Sequence, residues 1–308
     1  MIDLHELPKL RDSLSYLYVE HAVIDRDQHA IELIRKEGRT HAPAAALSLL
    51  LLGPGTSITH AAIKLLAENG CTVLWTGEDG MRLYAQGLGE TRKAYHLLRQ
   101  AELVFDREKR FEVVRRMYAK RFAVELEPGL SLPQIRGLEG VRVRTAYAEA
   151  SKAYGVAWNG RVYDRKDWGK ADPINRALSA ANALLNGICH AGIVSGGYSP
   201  ALGFVHSGRM LSFVYDIADL YKTEITIPTA FAVVAESEVH AEKRVRQACR
   251  QKFYETKLLE RILKDIDELL GIGSEEIPTG SDADGWDGGM PEPIWEELLD
   301  EAGQMAWS

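Results

Sequence analysis

Residues 204–222 read FVHSGRMLSFVYDIADLYK, which sets one imidazole, His206, and two carboxylates, Asp216 and Asp219, among Phe204, Val205, Leu211, Phe213, Val214, Tyr215, Ile217 and Leu220. An ionised carboxylate is costly to bury unless it is paired or coordinates a metal. These groups therefore either face water or meet something positive. The three-residue spacing of the aspartates puts both on one face of a helix. The same spacing also fits a helix start, with Asp216 as the cap and Asp219 in the first turn, where the helix dipole favours negative charge. His206 taken alone fits a hydrogen-bonded structural histidine as well as a ligand.

A third acid stands in LPQIRGLEGVRVRTAYAEASKAYG, residues 132–155, a helical pattern in which Glu139 lies between Gly137 and Gly140. Glycine inside a helix costs about 1 kcal/mol relative to alanine. Close approach of another backbone or of a ligand to the Glu139 face is the expected reason. Further on come WNGRVYDRKDW (158–168) and GYSPALGFVHSGRMLSFVYDIAD (197–219).

RGLEG, WNGR-x-YD-x-KDW, GY-x-PALGFVH-x-G and LSFVYDIAD, in this order, resemble the CRISPR-associated integrase family that inserts new spacers into a repeat array. The resemblance is strongest to the type I-E subtype that accompanies the Cascade complex, and it runs from about residue 10 to residue 255. It implies an N-terminal β-sandwich, a larger helical catalytic domain, a homodimer, and one divalent metal per protomer held by Glu139, His206 and Asp219, with Asp216 as a supporting catalytic carboxylate. Two carboxylates and an imidazole form a mostly hard ligand set, which suits Mg²⁺ or Mn²⁺ better than structural zinc. Such an ion polarises a phosphodiester and stabilises charge on the attacking and leaving oxygens. The implied reaction is attack by a 3′-hydroxyl, giving a transesterified strand joint, with nuclease cleavage when water attacks. The implied substrate is double-stranded DNA, handled by two dimers bridged by one dimer of a small ferredoxin-like partner. His206 also fits a proton shuttle.

Other positions carry over one by one. Arg82, in GMRLYAQG, reads as a phosphate or interface contact. Tyr163, Trp168 and Tyr215 fit stacking on splayed DNA ends and equally fit core packing. Lys222 and Arg246 fit phosphate contacts or a solvated helix face. The sequence departs from the family at His21, Ser57 and Asn186, where a duplex-forking tyrosine, a turn arginine and a pocket tyrosine are expected; this puts DNA-end handling in question and leaves the ligand positions intact. Two other functions stay open: a metal-dependent phosphohydrolase of a small substrate, and a non-catalytic DNA-binding scaffold.

The elements that must position these groups fall in two textures. Up to residue 88 the short runs SLSYLYVEHAVID, AIELIRK, ALSLLLLG, CTVLWTG and MRLYAQG predict strands. HAAIKLLAENG, capped by Thr59, predicts one helix among them. After Gly89, three- and four-residue apolar spacing predicts helices over 91–124, 133–154, 174–195, 239–253 and 256–270. The fold class is therefore α+β, with a β-rich domain over 1–88, a helical domain over 89–271 and an acidic tail over 272–308.

The net charge of −7 hides an asymmetry. From Asp265 onward there are 13 acidic residues and no Lys or Arg, so residues 1–264 carry 37 basic and 31 acidic side chains. Within 91–122, ten basic residues face four acidic ones. A polyanion is a permitted partner, as is a merely solvated helix face. The three cysteines are far apart and suit a reducing cytoplasm. The first residues, MIDLHELPKLRD, lack the apolar run of a secretory signal. The uncharged run 177–205 carries Asn182, Asn186, Gly196, Gly197 and Pro200, and reads as a buried helix and turn, so no membrane is expected. In the tail, PIWEELL fits either docking on a partner subunit or a solvated segment. Docking predicts that deleting residues 272–308 weakens complex assembly measured by light scattering; a solvated tail predicts no change.

Overall fold

A computed structural model describes residues 16–77, 83–87, 94–124, 126, 127, 129–161 and 172–272. The predictions made for Arg82, Tyr163, Trp168 and the 273–308 tail lie outside the described residues.

Among the described residues eight strands come first: β1 (Tyr16–Val19), β2 (Val23–Asp27), β3 (Ala30–Arg35), β4 (Gly38–Pro43), β5 (Leu49–Leu52), β6 (Ser57–Ile58), β7 (Thr72–Thr76) and β8 (Leu83–Gly87). They form two four-stranded sheets, ordered β1-β5-β7-β8 and β4-β3-β2-β6. β1, β5 and β7 run parallel, β2, β3 and β4 form an antiparallel meander, and β6 joins β2 in parallel. The sequence reading took β1 and β2 as one run and did not predict β4 or β6. β4, GRTHAP, is almost wholly exposed, so no apolar alternation marks it; its pairing with β3 defines it. Helix α1 (His60–Glu68) has the expected cap, with the Thr59 hydroxyl accepting from the Ala62 N–H.

β5 explains the run of four leucines. All four are buried, as expected of a strand covered on both faces. Leu50 and Leu52 share one apolar cluster with Ile24, Ile31 and Leu33 of the second sheet and Leu65 and Leu66 of α1. Leu49 and Leu51 face the other way, into a cluster with Leu74 of β7 and Ala191, Val194 and Leu259 from the helices that follow. The strands and helices thus meet across an apolar seam.

The helices are α2 (Tyr95–Phe105), α3 (Arg107–Phe122), α4 (Leu132–Tyr154), α5 (Pro173–Ser195), α6 (Ser212–Ala218), α7 (Ile227–Glu236), α8 (Ala241–Glu255) and α9 (Leu258–Leu270). The predicted 91–124 segment is two helices, because the Asp106 carboxylate accepts from the Glu108 and Lys109 N–H groups and starts α3 afresh. α7 was not predicted; its IPTAFAVVAE sequence mixes β-branched residues with an initial proline. Among the described residues, α5 is the helix long and apolar enough to cross a membrane. Most of its length lies in the main core with Met117, Ile135, Phe213 and Phe231.

α5 crosses α9 closely at Gly192, where an added Cβ would lie 2.7 Å from Ile262 Cγ2 and 3.3 Å from Leu259 Cδ1. Both neighbours are core side chains with little room to shift. Gly192→Val should therefore cost about 1–3 kcal/mol, read as a lower midpoint in urea unfolding.

Candidate active site

The local chain around His206 is built before any ligand is considered. Gly203 packs so tightly that a Cβ there would overlap the His206 carbonyl oxygen and sit 2.7 Å from Ser212 Cβ. This lets the 203–206 loop lie flat on the start of α6. Asp216, inside α6 and wholly buried, then turns its carboxylate back onto the loop. Its Oδ2 accepts from the Phe204 and Val205 N–H groups at 2.6 and 3.0 Å, and its Oδ1 accepts from the His206 N–H at 2.9 Å. The His206 ring Nδ1 lies 2.6 Å from the same Oδ1. From the other side, Arg110 Nε and Nη2 donate to the Phe204 carbonyl at 3.0 and 2.9 Å.

This geometry decides between the two readings of the aspartate pair. α6 begins at Ser212, so Asp216 is not its cap, and Asp219 is the residue that ends the helix. Asp216 is an internal carboxylate with four donors. Because a carboxylate accepts, Nδ1 of His206 carries a proton, and Nε2 is the ring nitrogen not engaged by Asp216.

Glu139, His206 and Asp219 all line one cavity of about 680 Å³. Glu139 comes from α4, which begins with Gln134 Oε1 accepting from the Ser131 N–H at 2.8 Å. Among the described residues, the expected approach of another backbone at its glycines is not found. A Cβ on Gly137 would meet nothing within 4 Å, and one on Gly140 would meet only Arg144 Nη1 at 3.5 Å. That face of α4 is open, with Leu138 and Val141 exposed beside it.

Cations surround the two cavity carboxylates. Arg142 Nε donates to Glu139 Oε2 at 3.0 Å, and its Nη1 donates to Thr223 Oγ1 at 2.8 Å. Lys222 Nζ donates to Asp219 Oδ1 at 2.5 Å. Arg121 stands between them, Nη1 at 3.6 Å from Glu139 Oε1 and Nη2 at 3.5 Å from Asp219 Oδ2. Burial alone would raise the Asp219 carboxyl, but the charges of Lys222 and Arg121, the Lys222 hydrogen bond and His206 hold it below its ordinary value. A π-helical turn, Lys222–Thr226, follows α6 directly and brings both Lys222 and Thr223 to the cavity.

Among the described residues, no three His, Cys, Asp or Glu side chains stand close enough together to hold a metal ion. The cationic heads of Arg121 and Lys222 contact the two carboxylates instead. The donor set fits a hard divalent cation nonetheless: two carboxylates already drawn to positive charge, and an imidazole whose Nδ1 is fixed by a second carboxylate.

The other predicted residues divide. Lys222 lines the cavity. Tyr215 packs edge-on to the His206 ring, centroids 5.9 Å apart, and is not part of the lining. Arg246 sits half-buried on α8, away from the lining. His21 adopts a left-handed backbone, φ 50°, its N–H bonded to the Pro54 carbonyl and its ring against Gly55. Ser57 is exposed on β6. The Asn186 side-chain oxygen is buried with no hydrogen-bond partner among the described residues.

The sequence reading missed Arg121, Arg136, Arg142 and Arg161, all of which line the cavity. With Lys222 they give, among the described residues, five cations against two carboxylates on the lining. Arg121 carried a legible signal, since Val113, Val114, Met117, Tyr118 and Arg121 share the buried face of α3, and an arginine on that face needs anions. The others carried none beyond their charge.

The family described as CRISPR associated protein Cas1 matches residues 15–127 and 118–268. A Thermus thermophilus protein named CRISPR-associated endonuclease Cas1 2 is 57% identical over 283 residues, covering 91% of this chain and 87% of its own length. A Geobacter sulfurreducens protein named CRISPR-associated endonuclease Cas1 is 45% identical over 271 residues, covering 88% of this chain and 89% of its own. The crystal structure of a TtCas1–DNA complex superposes with a TM-score of 0.77 at 57% identity, covering 86% of this chain and 99% of that one.

Removing the Asp216 carboxylate leaves three peptide N–H groups and a ring nitrogen without their acceptor. Asp216→Ala should therefore destabilise the fold by on the order of 3 kcal/mol, measured by urea unfolding. A loss below about 1 kcal/mol would contradict the role given to this carboxylate.

Proposed function

The chain belongs to the CRISPR-associated Cas1 family, and we propose that it is a metal-dependent DNA integrase and endonuclease of spacer acquisition, of the type I-E subtype. One observation carries this reading. Glu139, His206 and Asp219, from α4, the 203–206 loop and the end of α6, line one cavity whose charged rim is mostly cationic.

The residues that would hold the ion are Glu139, His206 and Asp219, and the ion is Mg²⁺ or Mn²⁺. When bound, it supplies Lewis-acid polarisation of a phosphodiester and stabilises charge on the oxygens that attack and leave. The chain supplies the rest. Asp216 keeps the His206 proton on Nδ1, so that Nε2 is the coordinating or proton-accepting atom. Lys222, Arg136, Arg142 and Arg161 make a field that draws phosphates into the cavity and holds them there. The attacking group is the 3′-hydroxyl of a spacer strand in integration and water in cleavage, and reversal resolves branched DNA.

The substrate is double-stranded DNA, with the TtCas1–DNA complex as support for DNA binding. The remaining assignments follow the family: a sandwich of the two N-terminal sheets that makes the homodimer, a catalytic helical domain over 89–271, two dimers bridged by a ferredoxin-like partner dimer, and a cytoplasmic setting. Arg82, Tyr163, Trp168, Tyr215 and Arg246 are assigned to DNA contacts. A small-substrate phosphohydrolase is less well supported, because five cations around two carboxylates exceed what one phosphate needs.

The test is strand transfer of a labelled duplex into a supercoiled plasmid bearing the repeat, with and without the partner subunit and Mn²⁺ or Mg²⁺. Joint molecules should require the metal, and Glu139→Ala should reduce their yield at least about a hundredfold, as expected when a charge-stabilising group of about 3 kcal/mol is removed. A scaffold without chemistry predicts instead that Asp219→Ala lowers stability and leaves every activity and DNA affinity unchanged.

A further inference from the structure

Among the charged side chains that line the cavity, Arg121 is the one solvent scarcely reaches, with 2% of its side chain exposed against 16% for Glu139 and 22% for Asp219. A guanidinium stays charged under all ordinary conditions. Its attachment differs from those of its neighbours. Lys222 and Arg142 hydrogen-bond the carboxylates directly from partly exposed positions, 31% and 23%. Arg121 approaches both carboxylates at ion-pair distances of 3.6 and 3.5 Å, too long for good hydrogen bonds. Its hydrogen bond goes to the backbone, Nη2 donating to the Asp216 carbonyl at 3.2 Å. The guanidinium also lies 5.0 Å from the Tyr118 ring centroid. Lys222 and Arg142 thus reach the carboxylates from the solvent side, while Arg121 reaches them from within the fold.

We infer that Arg121 is a built-in cation of the metal site, which holds Glu139 and Asp219 in place and makes the chain by itself a weak binder of divalent metal, so that the ion is retained only together with a nucleic-acid phosphate. The inference rests on the reading of Glu139, His206 and Asp219 as ligands. A fixed positive charge beside two anions does two things. It offsets their mutual repulsion before any ion arrives, and it opposes a second, doubly charged cation at short range. Among the described residues the lining carries five cations and two carboxylates, and a divalent ion adds to that positive excess. The oxygens of a phosphodiester supply the missing negative charge, and by linkage the ion and the phosphate must strengthen each other equally. Arg121 is thus a positioning residue that acts through the carboxylates.

The experiment is Mn²⁺ binding by the full-length chain, followed by electron paramagnetic resonance of free Mn²⁺, with and without a short duplex and after subtraction of the duplex alone. The unaltered chain should bind Mn²⁺ at least tenfold more weakly without the duplex than with it. Arg121→Met should bind Mn²⁺ alone at least tenfold more tightly than the unaltered chain, and Arg121→Lys, which keeps the charge, should remain weak. A folded Arg121→Met that binds no more tightly overturns the inference. So does equal affinity of the unaltered chain with and without duplex, a result that stands even if Arg121→Met fails to fold. The underlying ligand assignment fails separately, and takes this inference with it, if Glu139→Gln binds Mn²⁺ as well as the unaltered chain does.

Discussion

The Asp216 carboxylate has no contact with solvent, and the shape of the cavity rim follows from how it is satisfied. Three successive peptide N–H groups and one ring nitrogen converge on its two oxygens. A carboxylate with that many donors can keep its charge where an unpaired one could not. Successive N–H groups turned to one anion form a concave backbone nest, and Arg110 takes the Phe204 carbonyl from the other side. The loop is therefore held from both sides. The orientation of His206 is a consequence of this clamp, and the tautomer of its ring follows from the acceptor beneath it.

Glu139 and Asp219 solve the same problem differently. They are partly exposed and are balanced by guanidinium and ammonium groups in place of peptide donors. Peptide N–H groups in a packed loop are fixed, whereas charged side chains at a rim can exchange one anion for another. The buried aspartate thus builds structure, and the two rim carboxylates remain available to a ligand. The positive excess around them favours a polyanion over a small neutral substrate.

Behind the site, one strand and one helix carry the load. β5 divides its four leucines between two apolar clusters, one under the second sheet and one against α5 and α9. α5 runs through the main core, bringing Asn182 to the cavity and Ala191 and Val194 to the seam with β5. The face that lines the cavity and the face that joins the sheets are therefore two sides of one helix.

Much of this was legible in the residue order. Alternating apolar runs before residue 88 and three-to-four spacing after it determined strands followed by helices, because side-chain periodicity follows backbone geometry. Thr59 announced α1, and the RGLEG and GFVHSG–DIAD blocks singled out Glu139, His206, Asp216 and Asp219. What only the tertiary structure decided is partnership across the chain. Arg121 meets the Asp216 carbonyl 95 positions away, and Arg110 meets that of Phe204 at a separation of 94. β4 exists because β3 pairs with it, α6 starts four residues before Asp216, and the Gly137 face stands open. Periodicity is a local property that a sequence displays directly. The compensation of a buried charge depends on which distant group folding brings beside it, and no local pattern encodes that distance.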